Sequence, residues 1–87
     1  MAQERQHVEI VAELKPGADP APVARWFEER GLDTLPLVVG VLATGDADAL
    51  RTAFRAEPTG TLPIPDELAE HVASIAVVPP KEMHGRR

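Results

Sequence analysis

An alternation of apolar and mostly polar residues near the start of the chain constrains the fold more than any other pattern. It runs from His7 to Leu14. Successive side chains of a strand point to opposite faces, so this period of two predicts a strand with one buried face. The apolar positions of the alternation are Val8, Ile10, Ala12 and Leu14, and the opposite face carries His7, Glu9, Val11 and Glu13.

A helix with clear start and stop signals follows this strand. Asp19-Pro20 predicts its start, because an Asp side chain can accept a bond from an unpaired N–H and proline already has a helical φ. Gly31 predicts its end, because glycine readily takes the left-handed conformation just past a helix C-terminus. The helix is therefore predicted from about Pro20 to Arg30.

The stretch from Leu32 to Thr44 is nearly all apolar and has a glycine, Gly40, in its middle. We interpret it as a hairpin of two strands, Thr34 to Val38 and Val41 to Thr44. Pro36 favours an edge position for the first of these strands, because proline cannot donate to a neighbouring strand.

A second helix is predicted to begin at Gly45-Asp46, with Asp46 as N-cap and Asp48 in the first turn, where a carboxylate is favourable. It would bury Leu50, Ala53 and Phe54.

The segment from Ala56 to Pro65 contains three prolines and a Gly-Thr pair, so it is predicted to be a loop. A short helical turn beginning at Pro65 would place Leu68 and Val72 one turn apart. A final strand from Ser74 to Val78, closed by Pro79-Pro80, ends the predicted elements.

The order strand, helix, strand, strand, helix, strand predicts an α+β fold of the ferredoxin-like plan, β-α-β-β-α-β. In that plan two helices cover one face of a four-stranded antiparallel sheet. The alternative merges the middle strands into one and leaves a three-stranded sheet.

We expect a single domain over residues 1–80 and a polar C-terminal tail over residues 81–87. The expected core is Val8, Ile10, Ala12, Leu14, Val23, Trp26, Phe27, Leu50, Phe54, Ile75 and Val77.

Composition narrows the classes of function. The 87-residue chain has no cysteine, which excludes disulfides and thiolate chemistry. Its N-terminus is polar and its apolar stretches are short, so we expect a cytoplasmic protein without a membrane partner. Its formal net charge of −5 argues against nucleic acid as a partner, because such binding depends on neutralising many phosphates.

Candidate metal ligands are few and scattered. Asp46 and Asp48 resemble half of a calcium loop, but the further oxygen ligands of such a loop are missing, and a helix cap explains them better. His7, His71 and His84 lie in three separate segments without metal-like spacing. We therefore expect no metal and no cofactor.

Candidate catalytic groups are equally isolated. The acidic pairs Glu28-Glu29 and Asp66-Glu67 fall on predicted helical surfaces, where solvation leaves little reason for a shifted pKa. Ser74 is the only serine, and no glycine-rich turn precedes it to expose a nucleophile. An enzyme is therefore not expected.

The remaining candidate is the sheet face that the helices would leave open. It would present Val11 from the first strand and Ala76 and Val78 from the last, a mixed apolar area available to a partner. Scattered exposed apolar residues are the competing interpretation, and Glu9 and Glu13 on the same face reduce its apolar character.

The last strand and tail, Ser74 to His84, resemble the end of subtilisin-family propeptides, in which a closing strand leads into an extended tail. The opening strand Val8 to Lys15, followed by a helix ending at Gly31, is also similar to those propeptides. The resemblance implies a ferredoxin-like intramolecular chaperone and inhibitor. In that family the open sheet face packs on protease helices and the tail occupies the substrate pockets.

Two functions follow as expectations. The first is a non-catalytic protein-binding module, a propeptide-like inhibitor or chaperone of a subtilisin-like protease. The alternative is a structural or accessory protein that self-associates or scaffolds a complex through the same sheet face; a regulatory domain for a small ligand ranks third. The residues expected to bind the partner are Val11, Ala76, Val78, Met83 and His84.

Overall fold

The computed structural model describes residues 7–78 and contains four strands and two helices. In chain order the elements are β1 (His7–Leu14), α1 (Pro20–Glu29), β2 (Asp33–Pro36), β3 (Gly40–Asp46), α2 (Ala47–Phe54) and β4 (Val72–Val78). The sheet order is β2-β3-β1-β4, and all neighbouring strands are antiparallel. The fold is the predicted ferredoxin-like α+β plan, and the three-stranded alternative is wrong.

The signals at both ends of α1 act as the sequence predicts. The Asp19 carboxylate accepts a hydrogen bond of 3.0 Å from the Ala21 N–H, and Pro20 is the first helical residue. Arg30 is the C-cap, and Gly31 follows with φ +85°, a left-handed conformation that glycine adopts without steric cost.

The predicted hairpin is confirmed, but its bounds differ from the prediction. Leu37 and Gly40 exchange two backbone hydrogen bonds, of 2.8 and 3.3 Å, so the ladder continues to Gly40 and the connection is the two-residue loop Val38-Val39. Gly40 therefore belongs to β3 and does not form the turn. β2 is an edge strand, as Pro36 predicts.

Helix α2 begins directly after β3, with Asp46 at the N-cap position in extended backbone geometry. Asp46 is therefore the N-cap, as predicted, although its side chain makes no capping hydrogen bond. Leu50 and Phe54 are buried as expected, whereas Ala53 is half-buried. The helix ends at Arg55, whose φ of 55° is left-handed.

Strand β4 begins two residues earlier than predicted, and Val72 lies in the strand, not one helical turn after Leu68. The helical part is only the 3₁₀ turn Asp66–Leu68. The register shifts between Glu13 and Leu14, which pair with Ser74 and Val72, so Ala73 is an extra residue. This β-bulge lets Val72 point to the same face as Ile75 although three positions separate them.

The core lies between the sheet and the two helices, on the face that the alternation in β1 predicts. Ile10, at 0% exposure, lies inside, and Val11 lies on the other face. Leu14 and Val77 are partly buried against the core. The remaining predicted core residues are buried, namely Val8, Ala12, Val23, Trp26, Phe27, Leu50, Phe54 and Ile75.

Candidate protein-binding surface

One row of apolar side chains crosses the sheet on the face opposite the helices. Leu35 of β2 pairs with Leu42 of β3, Leu42 pairs with Val11 of β1, and Val11 pairs with Ala76 of β4. Paired residues on neighbouring strands point to the same face, so these four side chains form one continuous line, hereafter the apolar row. The row spans the full width of the sheet.

The row is accessible because both helices pack on the other side. Leu35 retains 55% of its surface, and Ala76 is exposed. Val11 and Leu42 are half-buried by their neighbours within the sheet. A partner that covers the row would therefore remove apolar surface from water, which is the main driving force of association.

The hairpin loop between β2 and β3 carries two further exposed apolar residues. Val38 is 105% exposed and Val39 is 54% exposed. The loop is tied to the sheet, because the Leu14 N–H donates to the Val39 carbonyl oxygen at 3.0 Å, and Leu37 and Gly40 are hydrogen-bonded across its base. The loop is therefore an ordered apolar projection.

Local preference does not explain valine in this loop. Two-residue hairpin loops favour asparagine and glycine, because their common turn types require positive φ. Neither Val38 nor Val39 has positive φ; within residues 7–78 Arg55 is the only non-glycine residue that does. Residues that break a local rule at an exposed position are expected to serve a function.

Acidic side chains border the apolar row on both sides. Glu9 and Glu13 lie two positions before and after Val11 on β1, and Asp33 lies two positions before Leu35 on β2. Glu13 is held in place on this face by the Ser74 hydroxyl, which donates to it at 3.3 Å. The border is therefore anionic, and all three carboxylates are exposed.

The outer edge of β4, which as the last strand of the sheet would be expected to be unpaired, is covered by the chain itself. The predicted loop passes alongside, and Thr61 forms an antiparallel bridge with Ala76. Val77 N–H donates to the Gly60 carbonyl at 2.7 Å, and Leu62 N–H donates to the Ile75 carbonyl at 2.9 Å. Leu62 is buried, which anchors this segment against the edge.

The outer edge of β2 is blunted by proline. Hydrogen-bonded and non-hydrogen-bonded residue pairs alternate along two antiparallel strands. Leu37 and Gly40 form a hydrogen-bonded pair, so the next pair, Pro36 with Val41, is not hydrogen-bonded. The backbone of Pro36 therefore faces away from β3, toward the free edge of the sheet. A partner strand would find no N–H there. The Thr34 hydroxyl also donates to Glu28 of α1 at 2.6 Å, which links this edge strand to the helix. The sheet face is therefore more available to a partner than either edge.

The predicted partner-binding residues fall in two groups. Val11, Ala76 and Val78 lie together on the open face, with Val78 opposite Glu9 in the register. Met83 and His84, like the whole predicted tail, lie outside the described residues.

Sequence reasoning missed the β2-β3 half of this surface, namely Leu35, Leu37, Val38 and Leu42. The sequence does contain a pattern that indicates this half of the surface. Thr34 to Thr44 is a run of eleven residues without a charge. A hairpin with one buried face needs only half of its residues to be apolar, so the excess had to lie on the surface.

Asp48, one of the two carboxylates considered as candidate metal ligands, is engaged in a local contact. Asp48 and Glu57 both form ion pairs with Arg51, and these contacts raise the pKa of the Arg51 guanidinium, with the Glu57 hydrogen bond as the largest cause. Within residues 7–78 no three His, Asp or Glu side chains are grouped closely enough to hold a metal ion.

On the helix side an open groove of about 820 Å³ lies between α1, α2 and the segment that precedes β4. Trp26 lines it, and the guanidinium of Arg30 lies 3.8 Å from the centroid of the Trp26 ring. Arg30 also donates to the Trp26 carbonyl oxygen at 3.0 Å. Because the groove mixes Asp48 and Glu67 with Arg30 and Arg55, its lining favours no single ligand charge.

Comparisons with known proteins return no match to this chain, whether with protein-family models, with curated proteins or with solved structures. No helix within residues 7–78 is long and apolar enough to cross a membrane.

Proposed function

We propose that this chain is a non-catalytic protein-binding module that packs its open sheet face against a partner protein. The observation that carries the proposal is the apolar row, which crosses all four strands on the open face. Two further exposed apolar side chains, Val38 and Val39, lie at the end of the β2-β3 hairpin. Exposed apolar surface that is contiguous and rimmed by polar residues is typical of protein interaction sites.

The partner in this proposal is a subtilisin-like protease, which the chain would inhibit or help to fold. The support is the resemblance of the first strand and the last strand with its tail to subtilisin-family propeptides, together with the ferredoxin-like fold. In such a module the sheet face would supply most of the affinity and would raise the effective concentration of the tail at the protease cleft. Met83 and His84 would then be the tail residues closest to the active site.

Protease inhibition tests this version directly. The full chain should inhibit at least one member of a panel of subtilisin-like proteases at micromolar concentration. Removing Met83 to Arg87 should abolish inhibition while the melting temperature stays nearly unchanged. The absence of inhibition by the full chain across the panel would refute the protease version.

The sheet face itself is tested by a charge placed on the apolar row. Leu35→Lys introduces an ammonium group at an exposed row position without touching the core, so it should weaken inhibition and leave the fold intact. Thr52→Lys, on the exposed surface of α2, is the matched control and should have no effect. Equal inhibition by both variants would show that the open face is not the binding surface.

Self-association through the same face is the second candidate, because an apolar row can also pack against its own copy. Sedimentation velocity from 1 to 100 micromolar would reveal it as a concentration-dependent rise in mass that Leu35→Lys removes. A monomer across that range would exclude this candidate.

A further inference from the structure

The charge pattern of the open face indicates the chemistry of the partner that binds the apolar row. This inference rests on the proposed function. We propose that the partner is a different protein that presents an apolar ridge flanked by lysine or arginine, not a second copy of this chain.

Within residues 7–78 the open face is acidic and carries no compensating lysine or arginine. The four strands contain no lysine or arginine, and the face carries Glu9, Glu13 and Asp33. His7, at the start of β1, is the basic candidate on that face, and it lies opposite Asp46 in the register. The described lysine and arginine residues lie in the helices, at their C-caps or in the turn after β1.

The carboxylates are placed to contact whatever covers the row. Same-face neighbours along a strand are roughly 7 Å apart, so Glu9 and Glu13 stand about that far on either side of Val11. A ridge seated on Val11 and Leu42 would bring its own flanking side chains over these two carboxylates. Lysine or arginine there would form ion pairs, and aspartate or glutamate would be repelled.

A second copy fits this pattern poorly. Two sheets stacked face to face lie about 10 Å apart, and the side chains of both inner faces fill that space. The two sets of carboxylates would therefore lie closer together than the Debye length of about 8 Å at physiological salt, so salt would screen their repulsion only weakly. Among the described residues of the strands, His7 is the one basic side chain on this face, so like charge opposes the pairing of two copies.

The shape of the partner follows from the strand edges. The bridge at Thr61 covers one edge and Pro36 blunts the other, so an added strand is disfavoured at both. A helix laid across the open face is the remaining common way to cover a sheet. An amphipathic helix with a leucine stripe between lysines has the matching chemistry.

Two labelled helical peptides serve as probes, one with leucines flanked by lysines and one with the same leucines flanked by glutamates. Fluorescence anisotropy should show binding of the lysine peptide and about tenfold or greater preference over the glutamate peptide, since three rim ion pairs together reach that ratio. The affinity for the lysine peptide should fall as salt rises.

The variant Glu9→Gln/Glu13→Gln/Asp33→Asn removes the acidic border and should weaken binding of the lysine peptide by about tenfold. The variant Glu29→Gln/Glu67→Gln/Glu70→Gln removes the same net charge from exposed positions outside the strands and serves as the matched control. Equal weakening by the two variants would mean general charge attraction and would overturn the inference.

The outcome also separates this inference from the proposed function. Suppose that Leu35→Lys weakens binding of both peptides and Glu9→Gln/Glu13→Gln/Asp33→Asn does not. The open face then binds a partner, but the inference that this partner carries basic flanking residues is wrong. If neither variant affects binding, the open face is not a docking surface and both proposals fail. Dimer formation by the unmodified chain at low salt would overturn the preference for a different protein.

Discussion

Gly40 of β3 lies so close to the backbone of Ala12 of β1 that a Cβ at position 40 would collide with the Ala12 carbonyl oxygen. The obstacle is main chain in the middle of the sheet, which cannot rotate out of the way. Glycine is therefore required at this position for a close approach of two strands, and not for an unusual φ.

Gly40→Ala should consequently destabilise the fold by about 1–3 kcal/mol or more, as expected for overpacking against a rigid neighbour. Gly45→Ala, on the same strand, is the matched control, because its Cβ would meet only the end of the Leu32 side chain, which can move. Urea unfolding of both variants measures the difference. A larger loss at Gly45 would contradict the rigid-backbone argument.

Phe54→Ala should lower the free energy of unfolding by about 3–5 kcal/mol, because it truncates a large buried side chain. The Phe54 ring centroid lies 5.6 Å from that of Trp26 and 6.3 Å from that of Phe27, so all three aromatic residues lose contacts. Chemical denaturation followed by Trp26 fluorescence would measure the loss. An unchanged midpoint would place Phe54 outside the core.

Arg55→Gly should raise the free energy of unfolding by up to about 1 kcal/mol. Arg55 holds a left-handed φ of 55° after α2, a conformation that costs other residues about 1–2 kcal/mol and that glycine adopts freely, although glycine gains entropy in the unfolded chain. Arg55→Ala keeps the strain and removes the side chain, so it should not stabilise. Thermal unfolding that shows the same gain for both variants would assign the effect to the side chain.

Pro36→Thr should increase self-association. It restores an outward-facing N–H on the edge of β2 and so removes a feature that discourages strand addition. Size-exclusion chromatography with light scattering measures the effect, and Pro16→Thr, at an exposed position in the turn after the central strand β1, is the control. Unchanged mass for Pro36→Thr across a concentration series would show that the proline does not protect this edge.

Local sequence patterns were sufficient where the deciding interactions are also local. The alternation from His7 to Leu14 gave the bounds and the inward face of β1, because strand geometry alone assigns odd and even residues to opposite faces. Asp19 and Gly31 marked the ends of α1, because a cap depends on hydrogen bonds and backbone angles within a few residues.

Predictions failed where a distant segment decides the structure. Val72 joins β4 because pairing with Leu14 and the bulge at Ala73 continue the sheet, and no pattern within a few residues of Val72 encodes that register. The segment around Thr61 looks like a loop from its prolines, yet it lies along β4 because Leu62 is buried in the core.

The candidate surface divides in the same way. The sequence by itself determined that one sheet face would be left open and that Val11 and Ala76 would lie on it, since the right-handed crossovers of the predicted β-α-β-β-α-β plan place both helices on the same face. Only the tertiary structure joined Leu35 and Leu42 to them, because the row exists through the register of four strands that are far apart in the chain. Register is set by the packing of the whole sheet, and no single strand contains that information.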